Sequence, residues 1–231
     1  MGDLKTMGND ENIHADLSER AIVRAVDMDW QPSPSPTVWR KRFYRDGPAE
    51  AGIVTSLVRY DADSKFPTHH HPDGEEIYVL DGIFSDEHGD YAAGTYLLNP
   101  DGMSHTPHSK DGCTLFVKLR QYKGEGRTQV EMNTGVLDWQ ARNKNGVWQK
   151  PLYRQGGFRE WTMLLKLDPG AESPHHSHPN GEEVFVINGE FADEFGTYPA
   201  GTWTRSPPGS SHKVTSEKGA ILYVHFGGLE V

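Results

Sequence analysis

The chain reads as an all-β protein built from two tandem jelly-roll barrels, and three observations lead there. First, the sequence repeats itself. From His69 to His105 and again from His176 to His212, an offset of 107 residues runs without a gap and 20 of the 37 paired positions are identical, which marks an internal duplication. Second, 25 Gly and 15 Pro among 231 residues favour many short strands joined by tight turns over long helices. Third, the strand-like segments are short and rich in β-branched and aromatic residues, and each recurs in the second copy. Closing such strands into a barrel or a double-sheet roll removes their exposed edges.

Taken in order, residues 1–26 form a polar N-terminal arm without a strong period. The repeat opens at Asp29-Trp30-Gln31, matched by Asp138-Trp139-Gln140, and Val38-Trp39-Arg40-Lys41 is matched by Val147-Trp148-Gln149-Lys150. The stretch Pro32-Ser33-Pro34-Ser35-Pro36 is predicted to be extended, because X-Pro bonds oppose helix and proline lacks a backbone donor. Trp30 and Trp39 would anchor its two ends. Strands are predicted at Ile53–Tyr60, Ile77–Leu80 and Leu115–Leu119, with counterparts at Glu160–Leu167, Val184–Ile187 and Leu222–Phe226. The first barrel is therefore placed at residues 27–122 and the second at 136–231. The Gly-containing segment 123–135 is a linker between them. A unit of roughly 100 residues closes only a small core, so packing of the halves on each other should contribute to stability.

A formal charge of −10 argues against nucleic acid and against anionic membrane surfaces, both of which need clustered Lys and Arg. The single cysteine, Cys113, excludes an intrachain disulfide framework and fits a reducing cytoplasm; with Ala220 as its counterpart it reads as a small buried residue. No apolar run approaches the roughly 20 residues of a membrane span, and the N-terminus lacks a signal-peptide core.

The chemistry sits in the repeat. His69-His70-His71-Pro72-Asp73-Gly74-Glu75 and His176-Ser177-His178-Pro179-Asn180-Gly181-Glu182 each run on to a Pro-x-Gly-x-Ser-His that ends at His105 and His212. On a strand, alternate side chains share a face, so His69 and His71 can meet one ion. A short turn returns Glu75 to the same point, and His105 arrives from a later strand. His176, His178, Glu182 and His212 repeat that logic. Imidazole suits Zn, Fe, Ni or Cu, and an added carboxylate admits harder ions such as Mn. One divalent transition metal per barrel, Zn or Fe with Mn or Ni as alternatives, is the expectation.

These residues match the two cupin motifs. The second half fits from Gly170 through His176, His178, Glu182 and Gly189 to Gly201, Pro207, Gly209 and His212. The first fits from His69 to His105 with Gly82, Gly94, Pro100 and Gly102, and departs at the leading glycine, where Asp63 stands. More narrowly, the segment from Gly74 to His105 followed by Gly112–Gln121 resembles the ChrR-like cupins. The resemblance implies two tandem cupin domains. It also points to relatives of two kinds: a zinc-binding anti-sigma factor module, and dioxygenases that cleave carbon–carbon bonds in small diketones or hydroxyketones. Sequestration of a sigma factor is unsupported, because the N-terminal zinc domain that does this in ChrR uses His and paired cysteines.

Two functions follow. With Fe(II) in an octahedral site, two positions stay open for a small chelating ligand, and the protein is an oxygenase. With Zn(II) in a closed tetrahedron, the site is structural or senses a ligand. A carbohydrate-phosphate enzyme is disfavoured, since no Arg/Lys cluster flanks the motifs. A homodimer through sheet edges is compatible with the fold.

Around the ligands, strand parity puts Ile77 and Val79 inside the first barrel and Val184 and Val186 inside the second. Tyr96 and Trp203 occupy equivalent places and would shape the two pockets differently. Glu76 and Glu183 face out of the barrels as hydrogen-bonding or charge-balancing groups. His70 and His175 point away, and His108 is a candidate neighbour of the metal centre. His225 has Lys118 as its counterpart, which argues against a metal role for it. The Asp86-Glu87 and Asp193-Glu194 pairs read as solvated turn residues.

Overall fold

A computed structural model describes residues 12–142 and 145–229; part of the predicted arm, residues 1–11, lies outside them. Apart from two single-turn 3-10 segments, Ala25–Asp27 and Thr134–Val136, regular structure among the described residues is β. No helix among them is long and apolar enough to cross a membrane. Every strand pairing is antiparallel, and two ten-stranded sheets result, one per barrel.

The predicted strands are all present, and four of the six are longer than predicted. Ile53–Tyr60 forms as read, Ile77–Leu80 lies within Glu75–Ser85, and Leu115–Leu119 lies within Cys113–Leu119. Their counterparts are Trp161–Leu167, Glu182–Asp193 and Ala220–Phe226. The Ser/Pro segment is extended only at Gln31–Pro32 and then turns. Trp30 is flanked by the cations of Lys41 and Arg59, and Trp39 Nε1 donates to Asp61 at 2.8 Å, so both anchors hold.

In the first barrel the strand order is Val130–Asn133, Thr95–Asn99, Glu75–Ser85, Cys113–Leu119, Ile53–Tyr60, Val38–Asp46, Gln31–Pro32. Val130–Asn133 belongs to the stretch read as linker, and it pairs with Thr95–Asn99 in the register Met132↔Tyr96. The mirror event occurs in the second barrel, where Ala21–Arg24, from the stretch read as arm, pairs with Thr202–Ser206 in the register Val23↔Trp203. The segment before the first barrel thus completes the second, and the segment before the second completes the first. Arg205, 1% exposed, holds the arm in place by donating to the carbonyls of His14 and Asp16 at 2.7 Å each.

Alternation divides each strand between two cores. Lumen-facing residues of the first barrel include Val38, Tyr60, Ile77, Val79, Leu97, Leu115 and Val117; Val147, Met163, Val184, Val186, Leu222 and Val224 fill the second. Cys113 is buried in the first lumen cluster, where burial raises its thiol pKa to about 11. The outward faces form a third core between the barrels, dominated by aromatics. Phe116 stacks on Phe185 with ring centroids 4.9 Å apart, Phe43 lies parallel to Trp203 at 5.8 Å, and Tyr78 meets Tyr223 at 5.8 Å. Such geometries add to the area that large rings remove from water.

Candidate metal centres

The ligand histidines sit on two short ladders at the barrel mouths, with His71 just past the end of the first. His69–His70 pairs with Ser104–His105 in the register His105↔His69, and His176–His178 pairs with Ser210–His212 in the register His176↔His212. Each ladder brings residues from the two ends of a motif side by side. The carboxylate arrives at the first residue of the next long strand, Glu75 or Glu182. The turn before it needs a left-handed residue, supplied by Gly74 and Gly181 (φ 77° and 78°). The departure from the motif at Asp63 is accommodated in the same way: Asp63 takes φ 57° where Gly170 takes 78°, a conformation that Asp tolerates better than most residues.

In the second barrel one ligand atom from each of His176, His178, Glu182 and His212 lies within 4.8 Å of the others. In the first, His69, His71 and His105 converge in the same way. There Glu75 Oε2 lies 3.3 Å from His71 Nε2 and 3.6 Å from His105 Nε2. All eight residues predicted from spacing are thus gathered, four and four.

The donor set fits a cation. His69 Nδ1 is 2.8 Å from the Pro67 carbonyl and His176 Nδ1 is 2.9 Å from that of Pro174. A carbonyl only accepts, so these nitrogens carry the proton and each Nε2 presents a lone pair. His105 Nδ1 lies 3.2 Å from Asp86 Oδ2, and His212 Nδ1 lies 3.1 Å from Asp193 Oδ2, with the same consequence. His178 Nε2 and His212 Nε2 face one another at 3.1 Å. His71 Nε2 is buried without a hydrogen-bond partner. Burial, with neighbouring imidazoles adding to it, pushes the pKa of His71 and of His178 down to about 3. Burial also raises Glu182 to about 7 and moves Glu75 upward. Imidazoles that burial keeps neutral at His71 and His178, beside a carboxylate that burial discourages from ionising, form a cluster that a divalent ion would satisfy.

Asp86 and Asp193 are not the solvated turn residues that the sequence predicts; both are buried, with side chains 5% and 2% exposed. Each holds one ligand histidine through one oxygen and organises its own turn through the other. Asp193 Oδ1 accepts from Phe195 N at 2.8 Å and Tyr198 Oη at 2.7 Å. Asp86 Oδ1 accepts from His88 N at 2.8 Å and Tyr91 Oη at 3.2 Å. Glu87 and Glu194 accept the backbone N–H groups of Thr106 and Lys213, the residues that follow the ligand histidines. This outer layer fixes tautomer and ring direction.

Other expectations need correction. Tyr96 and Trp203 do not shape the pockets: both are fully buried between the barrels. Glu76 and Glu183 do leave the lumens, but into that same interface rather than into water. Glu76 accepts from Tyr96 Oη at 2.5 Å, from Thr162 Oγ1 at 2.9 Å and from Tyr122 Oη, and Glu183 pairs with Lys118. His225 lies beside Glu76, 3.8 Å away, so it and Lys118 are both interface residues. His70 and His175 are exposed. His108 pairs with Lys65 and Ser85 in the sheet and does not support a ligand.

Each centre faces a cavity. The first, about 400 Å³, is lined by His69, His71, Glu75 and His105 and by an apolar wall that includes Ile77, Leu115 and Val117. It also holds Arg40, Arg42 and Arg120, so the expectation that no basic cluster lies near the motifs fails. Arg40 and Arg42 come from Val38–Asp46, a strand distant in sequence from the histidines, and Arg120 follows the end of Cys113–Leu119. The second cavity, about 280 Å³, is lined by His176, Glu182, His212 and Arg142 among mainly apolar residues such as Leu167, Val184 and Phe226.

Comparison with solved structures agrees with this architecture. A protein of Nostoc punctiforme provisionally named a dioxygenase superposes with a TM-score of 0.76 at 13% identity, over 93% of this chain and 85% of its own. Escherichia coli Ylba gives 0.72 at 16% identity, over 94% of both chains. Bacillus subtilis oxalate decarboxylase, with Mn(II) centres, gives 0.63 at 14% identity over 95% of this chain and 80% of its own. At such identities the likeness is one of fold. No curated protein matches by sequence. The model of the ChrR Cupin-like domain matches twice, over residues 18–123 and 127–230, and each match begins just before a strand that completes the other barrel. Covered almost end to end by these two repeats, the chain belongs to the ChrR Cupin-like domain family.

Proposed function

We propose that the protein is a metal-dependent dioxygenase acting on a small diketone or hydroxyketone, with the first barrel as its working site. One observation carries the reading: the four ligands of that barrel face a cavity of about 400 Å³ rather than closing on a sealed point, and such a cavity suits a small organic molecule. A divalent metal, Fe or Mn in this reading, would be held by His69, His71, Glu75 and His105 and would supply Lewis-acid polarisation of substrate oxygens. The chain's own contribution is position and exclusion. Pro67 and Asp86 hold the His69 and His105 rings, and Ile77, Leu115 and Val117 keep water from the substrate's carbon skeleton. The provisional naming of the Nostoc neighbour as a dioxygenase and the Mn(II) centres of the decarboxylase support this reading.

The second barrel favours another reading for itself. Its cavity is smaller and mostly apolar, which suits a structural or ligand-sensing zinc centre. Elemental analysis of protein purified without added metal or chelator separates the two, followed by oxygen uptake with acetylacetone and hydroxyketones. Iron or manganese at the first site with substrate-dependent uptake supports the dioxygenase. Two zincs per chain, and no uptake after iron exchange, would overturn it and leave a sensing protein. Absence of metal after reconstitution would overturn the ligand argument itself.

A further inference from the structure

We propose that the first barrel, and not the second, takes a small ligand that carries a carboxylate, gripped by Arg40 and Arg42 while its other oxygens reach the metal centre. The proposal rests on the metal-centre reading above and adds the charge and orientation of the ligand.

The register of the sheet places the arginines. Across the first barrel, Ile77, Val117, Ser56 and Arg42 lie in one transverse row, and Val79, Leu115, Val58 and Arg40 lie in the next. Glu75, the metal-site carboxylate, is one lumen step from Ile77 along its own strand. Val38, Arg40 and Arg42 share a face of Val38–Asp46, and Val38 belongs to the lumen core. Arg42 is 6% exposed, and both guanidinium groups line the same cavity as the histidines.

A buried guanidinium is costly unless a counter-charge meets it. The cavity lining has three guanidinium groups, Arg40, Arg42 and Arg120, against two carboxylates, Glu75 and Glu50. Glu75 is committed to the metal centre, where a dication would more than offset it. Glu50 is therefore the one lining carboxylate left for the arginines, and the cavity keeps an excess of positive charge. Glu50 also shows what the arginines recognise. Arg40 Nη1 donates to its two oxygens at 2.9 and 2.8 Å, and Arg42 Nη2 donates to Oε1 at 3.2 Å. Yet the Glu50 side chain is half exposed, so water competes for it, and a ligand carboxylate deeper in the cavity can take its place.

The mouth of the cavity is built to hold that arrangement. Arg120 sits at φ 60°, where its counterpart is Gly227 at 79°. An arginine in the left-handed region is strained, and such strain tends to mark functional positions. Its Nε donates to the Ala51 carbonyl at 2.9 Å, tying down the turn that carries Glu50.

The second barrel lacks the paired arginines. The row equivalent to Ile77, Val117, Ser56 and Arg42 is Val184, Val224, Met163 and Pro151, and Gln149 replaces Arg40. Arg142 is the one guanidinium on that cavity's lining, and its Nη1 already donates to Gln149 Oε1 at 3.2 Å, so no pair of arginines is there to grip a carboxylate.

Calorimetry with a matched pair of probes tests the proposal: acetylacetone, a neutral diketone, and acetopyruvate, the same diketone bearing a carboxylate. The zinc-loaded full chain, which binds without turnover, should take acetopyruvate at least tenfold more tightly. In R40Q/R42Q the two affinities should fall within twofold of each other, with acetylacetone unchanged. E50Q, altered only at a half-exposed side chain, should tighten acetopyruvate severalfold and leave acetylacetone alone. H212A should not change the preference. Equal affinity in the native chain, or a preference that survives R40Q/R42Q, would overturn the proposal. Should R40Q/R42Q not fold, an E50Q response of zero would overturn it as well. Failure of the metal-centre reading looks different: acetopyruvate would bind the zinc-free chain equally well, still through the arginines.

Discussion

Asp193→Asn tests whether the buried aspartates govern the metal centres. Asp193 Oδ1 is held by Phe195 N and Tyr198 Oη, and Oδ2 faces His212 Nδ1 at 3.1 Å. An asparagine that keeps the first two bonds must point its amide nitrogen at Nδ1. Donor would then meet donor, and His212 would escape by moving its proton to Nε2, the nitrogen aimed at His178 and Glu182. The lone pair intended for the metal is lost, together with the negative charge behind the ring. Outer partners of this kind are worth about 10–100-fold in metal affinity, which is about 1.4–2.7 kcal/mol. Tautomer reversal puts the expected loss at the upper end. Zinc titration by calorimetry or chelator competition resolves two sites per chain. Asp193→Asn should weaken the second alone, and Asp86→Asn, acting through His105, the first alone. Equal weakening of both sites, or no weakening at either, would refute the reasoning.

Four further outcomes follow from the structure. At pH 6 the Glu182 carboxyl, raised to about 7, is protonated in the metal-free protein, whereas His178, lowered to about 3, is neutral. Metal uptake by the second barrel should therefore release more protons at pH 6 than above pH 8, measurable by calorimetry in buffers of different ionisation enthalpy. The histidine shifts also set an acid limit. The unfolded chain protonates these imidazoles near 6.5 and the folded chain not until about 3, so the stability they contribute is present above 6.5 and is lost as pH falls towards 3; acid titration followed by fluorescence should show this. Phe116→Ala removes a 2% exposed ring stacked between Phe43, Phe185 and Tyr223 and should cost about 3–5 kcal/mol in denaturant unfolding. Residues 1–123 expressed alone lack Val130–Asn133 and expose the Thr95–Asn99 edge; they should aggregate or stay unfolded, and recover when the other half is co-expressed.

The ligands were legible because a metal site made from one hairpin and one later strand leaves a local pattern, and duplication showed it twice. The aspartates behind them were misread, although the same duplication repeats Asp-Glu at 86–87 and 193–194, followed each time by Gly-x-Tyr. An identical polar pair retained in two copies of a turn is itself a signal, since a solvated turn has no physical need of it. Arg40 and Arg42 were invisible for the opposite reason. Their counterparts are Gln149 and Pro151, and a reading guided by repetition passes over what only one copy has. The exchange of Ala21–Arg24 and Val130–Asn133 between barrels left no sequence trace, because pairing of an edge strand depends on which edge lies within reach and not on the strand's own residues.

The paired glutamates Glu75-Glu76 and Glu182-Glu183 show how one strand serves both purposes. Alternation sends the first of each pair into a lumen and the second into the interface, one residue apart. The two interface carboxylates are met in different ways. Glu76 accepts from the hydroxyls of Tyr96, Tyr122 and Thr162, while Glu183 takes the ammonium of Lys118, with Trp203 standing where Tyr96 stands in the other half. A hydroxyl cage and a buried ion pair cannot be interchanged without leaving a charge unmet, so each barrel accepts only its own partner face. That asymmetry makes the two halves inequivalent at their contact, and the lumens behind it are inequivalent too, one lined by Arg40, Arg42 and Arg120 and the other by Arg142 among mainly apolar residues. The backbone that carries the ligands also fixes the interface groups, so lumen-facing wall positions such as 40, 42, 56 and 58 were free to change without disturbing either. Divergence reaches those walls as well as the interface, with Arg40, Arg42, Ser56 and Val58 against Gln149, Pro151, Met163 and Leu165, while the ligand positions are the same in both copies.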